Sequence, residues 1–125
     1  INGTVIESVV YPGAVVGEGA FVKGCVILPY ASIGSRSRLY RTILDERTIP
    51  GPEFNVGERC YVGTEEAGIK NSDYPRSIFS GVTLLGKNCS IPHGAKIGGA
   101  CYIGPGKGSE YFMKSKSLYD GMSIP

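Results

Sequence analysis

The apolar positions in the first part of the chain keep a short, regular beat. Val5, Val10, Val16, Val22, Ile27, Ile33, Leu39 and Leu44 follow one another at intervals of five, six, six, five, six, six and five, so the pattern returns every 17 residues. Two positions before each of them stands a small side chain: Gly3, Ser8, Ala14, Ala20, Cys25, Ala31, Ser37 and Thr42. Gly17 and Gly34 follow Val16 and Ile33, and Pro12 and Pro29 share a third column. After an irregular stretch the beat resumes at Leu85, Ile91, Ile97 and Ile103, now every six, with Thr83, Cys89, Ala95 and Cys101 at the same offset ahead of them. Gly86, Gly98 and Gly104 follow three of these four.

A period of six suits neither a helix nor a long alternating strand. It predicts very short strands, a corner about every six residues, and three sides to a coil. Successive coils pair through parallel backbone hydrogen bonds. The aliphatic residue points into the prism and stacks on its counterpart one coil away, the small residue lies beside it where bulk has no room, and glycine supplies the corner. The expected fold is therefore all-β, a parallel β-helix over residues 1–104, with a protruding loop and an irregular tail. The polar run TEEAGIKNSDYPRS at 64–77 lacks the column residues and is expected to leave the prism as a loop. The segment Glu53 to Gly63 keeps Val56 and Val62 and is expected to form a looser coil. Residues 105–125 fall outside the beat; Tyr111, Phe112, Leu118, Tyr119 and Met122 give this tail the apolar surface to pack on a coil or a partner. Parallel crossovers are normally right-handed; the left hand assigned here comes from resemblance to known hexapeptide-repeat proteins.

Composition narrows the field of partners. At 125 residues one domain is expected. The 19 Gly and 8 Pro would permit disorder, but 42% hydrophobic residues at regular intervals argue against it. A net charge of +2 names neither nucleic acid nor an anionic membrane as a default partner. No apolar run approaches the roughly 20 residues that span a bilayer, and no signal peptide is visible. The repeat is already running just after Ile1, which reads as a piece cut from a longer protein.

Candidate chemistry is sparse. Cys25, Cys60, Cys89 and Cys101 all sit two residues before an aliphatic, in the small inward column, with no C-x-x-C spacing. That favours packing over metal or disulfide chemistry, and a reducing compartment. The only histidine, His93, lies between Pro92 and Gly94. It reads either as an outward turn residue or as the general base of a hexapeptide acyltransferase acting with acyl-CoA. A zinc site would need three histidines. The run Gly104 to Ser109 (GPGKGS) lacks phosphate-loop spacing and is expected to end the solenoid. Arg36, Arg38, Arg41, Arg47 and Lys87 read either as a solvated face or as a phosphate-effector site.

Three stretches carry a family resemblance: Ser8-Val-Val-Tyr-Pro-Gly-Ala-Val-Val-Gly17, Arg41-Thr-Ile-Leu-Asp-Glu46, and Ser80-Gly-Val-Thr-Leu-Leu-Gly-Lys-Asn-Cys-Ser-Ile-Pro-His-Gly94. Their order, spacing and intervening polar insertion resemble the C-terminal β-helix domain of the ADP-glucose pyrophosphorylases, the glucose-1-phosphate adenylyltransferases. The resemblance covers most of residues 5–104 and leaves the tail unmatched, so a divergent branch or a sister sugar-nucleotide pyrophosphorylase stays open. It implies a parent enzyme that makes ADP-glucose from ATP and glucose-1-phosphate with Mg²⁺. The parent's catalytic site lies in an N-terminal nucleotidyltransferase domain of the same chain, and no cofactor is expected in the present segment. It further implies a homo-oligomer, a tetramer in the family, and a phosphorylated metabolite as effector. Lys87 stands where the family's closing coil carries an activator-contacting lysine, with Arg36, Arg38, Arg41 and Arg47 as candidate helpers. The implied compartment is the bacterial cytosol, or the plastid in a plant. The rival readings are the acyltransferase with His93 as base and a plain oligomerisation scaffold.

Overall fold

A computed structural model describes residues 2–48, 54–66 and 68–125. Glu53, where the looser coil is expected to begin, lies outside the described residues. The first coil holds β1 (Thr4–Ile6), β2 (Val9–Val10) and β3 (Val15–Val16), and the second holds β4 (Phe21–Lys23), β5 (Val26–Ile27) and β6 (Ser32–Ile33). The third contributes β7 (Arg38–Tyr40) and β8 (Thr42–Leu44), the fourth β9 (Tyr61–Gly63) and β10 (Thr83–Leu85), and the fifth β11 (Lys96–Ile97) and β12 (Tyr102–Ile103). A short α1 (Ser109–Phe112), β13 (Ser117–Leu118) and β14 (Ser123–Ile124) close the chain.

These strands stack into three parallel faces. Face A is a six-stranded sheet in the order β1-β4-β7-β9-β11-β13, face B runs β2-β5-β8-β10-β12-β14, and face C begins with β3 and β6. Registration places like on like: Val5 on Val22, Val22 on Leu39, Leu39 on Val62, Val62 on Ile97 and Ile97 on Leu118 along face A. Face B stacks Val10, Ile27, Leu44, Leu85, Ile103 and Ile124 in the same way. Face C continues from Ile33 through single bridges to Val56 and Ile91. The inward aliphatics from Val16 to Ile103 are shut off from water, whereas Val5 and Val10 on the first coil are only half-buried. Each fully buried Val, Ile or Leu supplies about 1.5–3 kcal/mol.

Glycine has two separate jobs here. The left-handed backbone of each corner falls three residues before the inward aliphatic, at Gly13, Gly19, Gly24 and Gly94, but equally at Tyr30, Arg36, Arg41, Arg59 and Asn88. The glycines that follow the aliphatics are needed for close approach instead. A Cβ on Gly34 would lie 2.6 Å from the carbonyl carbon of Gly57, and one on Gly17 2.8 Å from the amide of Ser35. The expectation that the glycine after the aliphatic supplies the turning angle is corrected accordingly.

Two segments differ from the sequence reading. The stretch between β9 and β10 does not simply leave the prism but folds back over the corner between faces A and B. Asn71, fully buried, donates from Nδ2 to Ala100 O at 2.9 Å and to Ser123 Oγ at 2.9 Å, while its Oδ1 accepts the amides of Asp73 and Tyr74. Tyr74 meets Tyr102 edge-on, with centroids 5.6 Å apart. The tail beyond residue 104 is also more regular than expected. The GPGKGS run turns a further corner rather than ending the solenoid: Gly106 N–H bonds to Lys87 O and Lys107 O accepts the amide of Ser90. Then Phe112 enters the core, and β13 and β14 extend faces A and B. The six-residue beat is lost because α1 replaces a strand on the third side.

Candidate functional site

The five candidate cations do not converge, because a triangular coil sends neighbouring sequence positions to different faces. Arg36 turns the corner between faces C and A, where its amide bonds to Glu18 O on the coil before. Arg38 points outward on face A, its guanidinium carbon 5.8 Å from the Phe21 ring centroid. Arg41 turns the corner between faces A and B and donates from Nη2 to Ser80 O at 2.8 Å. Lys87 and the segment that carries Arg47 lie at the third corner, where the Arg47 amide bonds to Pro29 O. There Asn88 N–H bonds to Glu46 O, and the Asn88 side chain exchanges hydrogen bonds with the amide and hydroxyl of Thr48. Lys87 Nζ lies 3.0 Å from Glu46 Oε1, and this hydrogen bond raises the lysine's pKa above its ordinary value. Of the five, the structure therefore brings together only Lys87 and the segment carrying Arg47. The next coil adds Lys107 to the same corner through the Gly106–Lys87 bond, a cation that the repeat-based reading missed because it assigned the GPGKGS run to the solenoid's end.

His93 does more than decorate a turn. Its Nδ1 accepts the amide of Glu58 at 2.7 Å, and its carbonyl accepts from Lys116 Nζ at 3.3 Å, so it stitches one coil to the next. With Nδ1 engaged as acceptor, the neutral ring carries its proton on Nε2 and has no free lone pair for a substrate. A cavity of about 420 Å³ lies beside it, lined by Phe54, Glu58, Ser90 and Pro92 among others. The Nδ1 contact thus gives His93 a part in joining the coils.

The four cysteines are free and buried. Cys25, Cys60 and Cys101 donate to backbone carbonyls, Cys60 Sγ to Pro92 O at 3.0 Å and Cys101 Sγ to Tyr119 O at 3.1 Å. Burial pushes all four thiols up, Cys89 to about 12 and Cys101 to about 11, so none is a thiolate near neutrality. Among the described residues no group of three His, Cys, Asp or Glu could hold a metal ion. No helix among them is long and apolar enough to cross a membrane.

Residues 1–71, more than half of the chain, match the family described as GlmU-like, C-terminal hexapeptide. The chain belongs to that family. Membership in the GlmU-like hexapeptide family accounts for the inward columns and the parallel stacking, and places the chain among β-helix solenoids. The chain is also similar to glucose-1-phosphate adenylyltransferases. The one from Acetivibrio thermocellus is 32% identical over 105 residues, which is 84% of this chain but 23% of the relative. That of Desulfitobacterium hafniense is 32% identical over 97 residues, 78% of this chain and 21% of the relative. The Corynebacterium jeikeium protein is 35% identical over 89 residues, 71% of this chain and 20% of the relative. The GlmU-like hexapeptide chain thus spans less than a quarter of the length of these relatives. No solved structure matches it.

Proposed function

We propose that this chain is the C-terminal regulatory and assembly domain of a glucose-1-phosphate adenylyltransferase, which makes ADP-glucose from ATP and glucose-1-phosphate. The observation that carries the reading is the similarity to enzymes of that name over most of this chain and under a quarter of theirs. Catalysis then belongs to an N-terminal nucleotidyltransferase domain, and the β-helix serves it as a stiff platform. The exterior of face B supports such a covering partner. Its outward row, Val9, Val26, Ile43, Leu84 and Tyr102, runs through five coils without a charge, and Val9 is 54% exposed. Lys87 with Arg47 forms the best-supported part of a phosphorylated-effector site, since a small anion of dense charge needs several cations on one stiff surface. Arg36, Arg38 and Arg41 face elsewhere and could join only through another domain or a second subunit of the homo-oligomer.

The test is to express the complete reading frame that encodes this chain and measure pyrophosphate release and ADP-glucose formation from ATP and glucose-1-phosphate. Turnover by the complete protein, with none from this chain alone, is the expected result. A complete protein that forms no ADP-glucose would sink the proposal.

A further inference from the structure

The cavity of about 420 Å³ beside His93 lies along face C, where the fourth and fifth coils are bridged by Val56 and Ile91. Gly57 and Glu58 line it from one coil, Ser90, Ile91, Pro92 and His93 from the next, with Phe54 at its side. The imidazole can sit against this wall because residue 57 is glycine. A Cβ there would lie 2.7 Å from the His93 amide nitrogen and 2.8 Å from Nδ1.

Three polar side chains of the lining are left with capacity to bind. With Nδ1 taken by the Glu58 amide, the group that His93 offers the cavity is its Nε2 N–H, a donor. The Glu58 carboxylate is an acceptor and the Ser90 hydroxyl is both, and neither side chain has a partner among the described residues. Among those residues no lysine or arginine lines the space. Lys116 Nζ is turned instead to the His93 carbonyl, at 3.3 Å. Phe54, Ile91 and Pro92 make the rest of the wall apolar.

We propose that this cavity is a binding site for a neutral sugar of the pyranose class. The set of donors and acceptors selects that ligand. A phosphate or carboxylate would meet the Glu58 carboxylate with no lining cation to offset it. An ammonium would satisfy Glu58 but brings no lone pair for the His93 N–H. A sugar hydroxyl donates and accepts at once, so neighbouring hydroxyls serve Glu58, Ser90 and His93 together. The C–H face of the same ring then lies on Phe54 and Pro92, as in small-molecule sites whose walls are mostly apolar with a few placed polar groups. The volume falls within the roughly 300–1,000 Å³ of such sites. Because the Glu58 amide already holds the imidazole, the donor is in place before the ligand arrives, which lowers the ordering cost of binding.

His93 is the only histidine, so its ring resonances report on this site without ambiguity. The probes are the methyl pyranosides of glucose, galactose, mannose and N-acetylglucosamine, titrated at fixed pH and ionic strength. At least one should shift the His93 ring saturably, while inorganic phosphate leaves it in place. Glu58→Gln keeps the backbone amide that holds His93 and should weaken the binding roughly tenfold. A ring signal that no sugar moves overturns the proposal, and so does a Glu58→Gln titration that matches wild type. Phosphate producing the same shift overturns it as well, since the site would then not select a neutral ligand. The readout is binding to this chain, so the result is independent of any activity in a longer protein.

Discussion

Lys87 and Glu46 form an ion pair across two coils that are 41 residues apart in sequence, Nζ to Oε1 at 3.0 Å. Both partners are well exposed, so the pair adds little to stability. Its interest lies in what it holds ready. An anionic ligand at this corner must draw Lys87 away from Glu46 before using it. In the complete protein, Lys87→Ala should raise the activator concentration for half-maximal response about tenfold and leave the melting midpoint and unactivated rate unchanged. Glu46→Gln should act in the opposite direction. Superimposable activation curves for Lys87→Ala and wild type would return Lys87 to the solvated face.

Ala95 is fully buried in the small inward column. Ala95→Leu forces three extra carbons between stacked coils and should cost about 1–3 kcal/mol, read as a shift in the denaturant midpoint. Cys25→Ser should cost less, because Ser8 occupies the same column one coil earlier and the hydroxyl can keep the bond that Cys25 Sγ donates to Lys23 O.

Gly34 tests the close-approach argument separately from the corner argument. Its φ is not left-handed, yet a Cβ would lie 2.6 Å from Gly57 C. Gly34→Ala should destabilise by about 1–3 kcal/mol through backbone displacement. Gly94→Ala, which meets nothing within 4 Å but sits at φ 75°, should cost about 1–2 kcal/mol through backbone strain alone. Equal tolerance of both changes would show that the coils are not in contact at Gly34.

The buried thiols predict a loss of stability in alkali. Folded Cys89 holds its proton to about 12 and Cys101 to about 11, against 9.0 in the unfolded chain. Between those values the unfolded state binds fewer protons, so the free energy of unfolding falls as pH rises. Each thiol contributes at most about 1.4 kcal/mol per pH unit in that window. Melting under a reductant at pH 8 to 11 should show a shallower decline in Cys89→Ala than in wild type; parallel declines would mean that Cys89 is not buried as described.

Asn71 should prove the most sensitive polar residue outside the columns. Asn71→Ala leaves the Ala100 carbonyl and the amides of Asp73 and Tyr74 without its amide group. A loss of about 1–3 kcal/mol is expected, with faster exchange of the Ser72 amide, whose bond to the Gly121 carbonyl ties loop to coil. Unchanged exchange there would mean that the loop is held by other contacts.

The sequence by itself determined the repeat, and with it the core. A closed coil admits one aliphatic and one small residue per side, so Val16, Ile33, Ala31 and Cys89 announce their inward direction through spacing alone. Handedness lies outside that spacing, since a period of six says where corners fall and not which way they turn. What the tertiary structure decided was everything joining residues from distant turns. Faces are assigned by corner, so Arg36, Arg38 and Arg41 look like one basic cluster in sequence and point three ways in space. Lys87 meets Glu46, Lys23 meets Glu65 and Asn71 meets Ala100 across 41, 42 and 29 residues of chain, pairings that the repeat spacing does not carry. The tail shows the same limit from the other side. Leu118 and Ile124 keep the inward role, but Lys116 and Met122 stand at the offset where the small residues belong and are exposed, so the spacing rule does not carry into the tail.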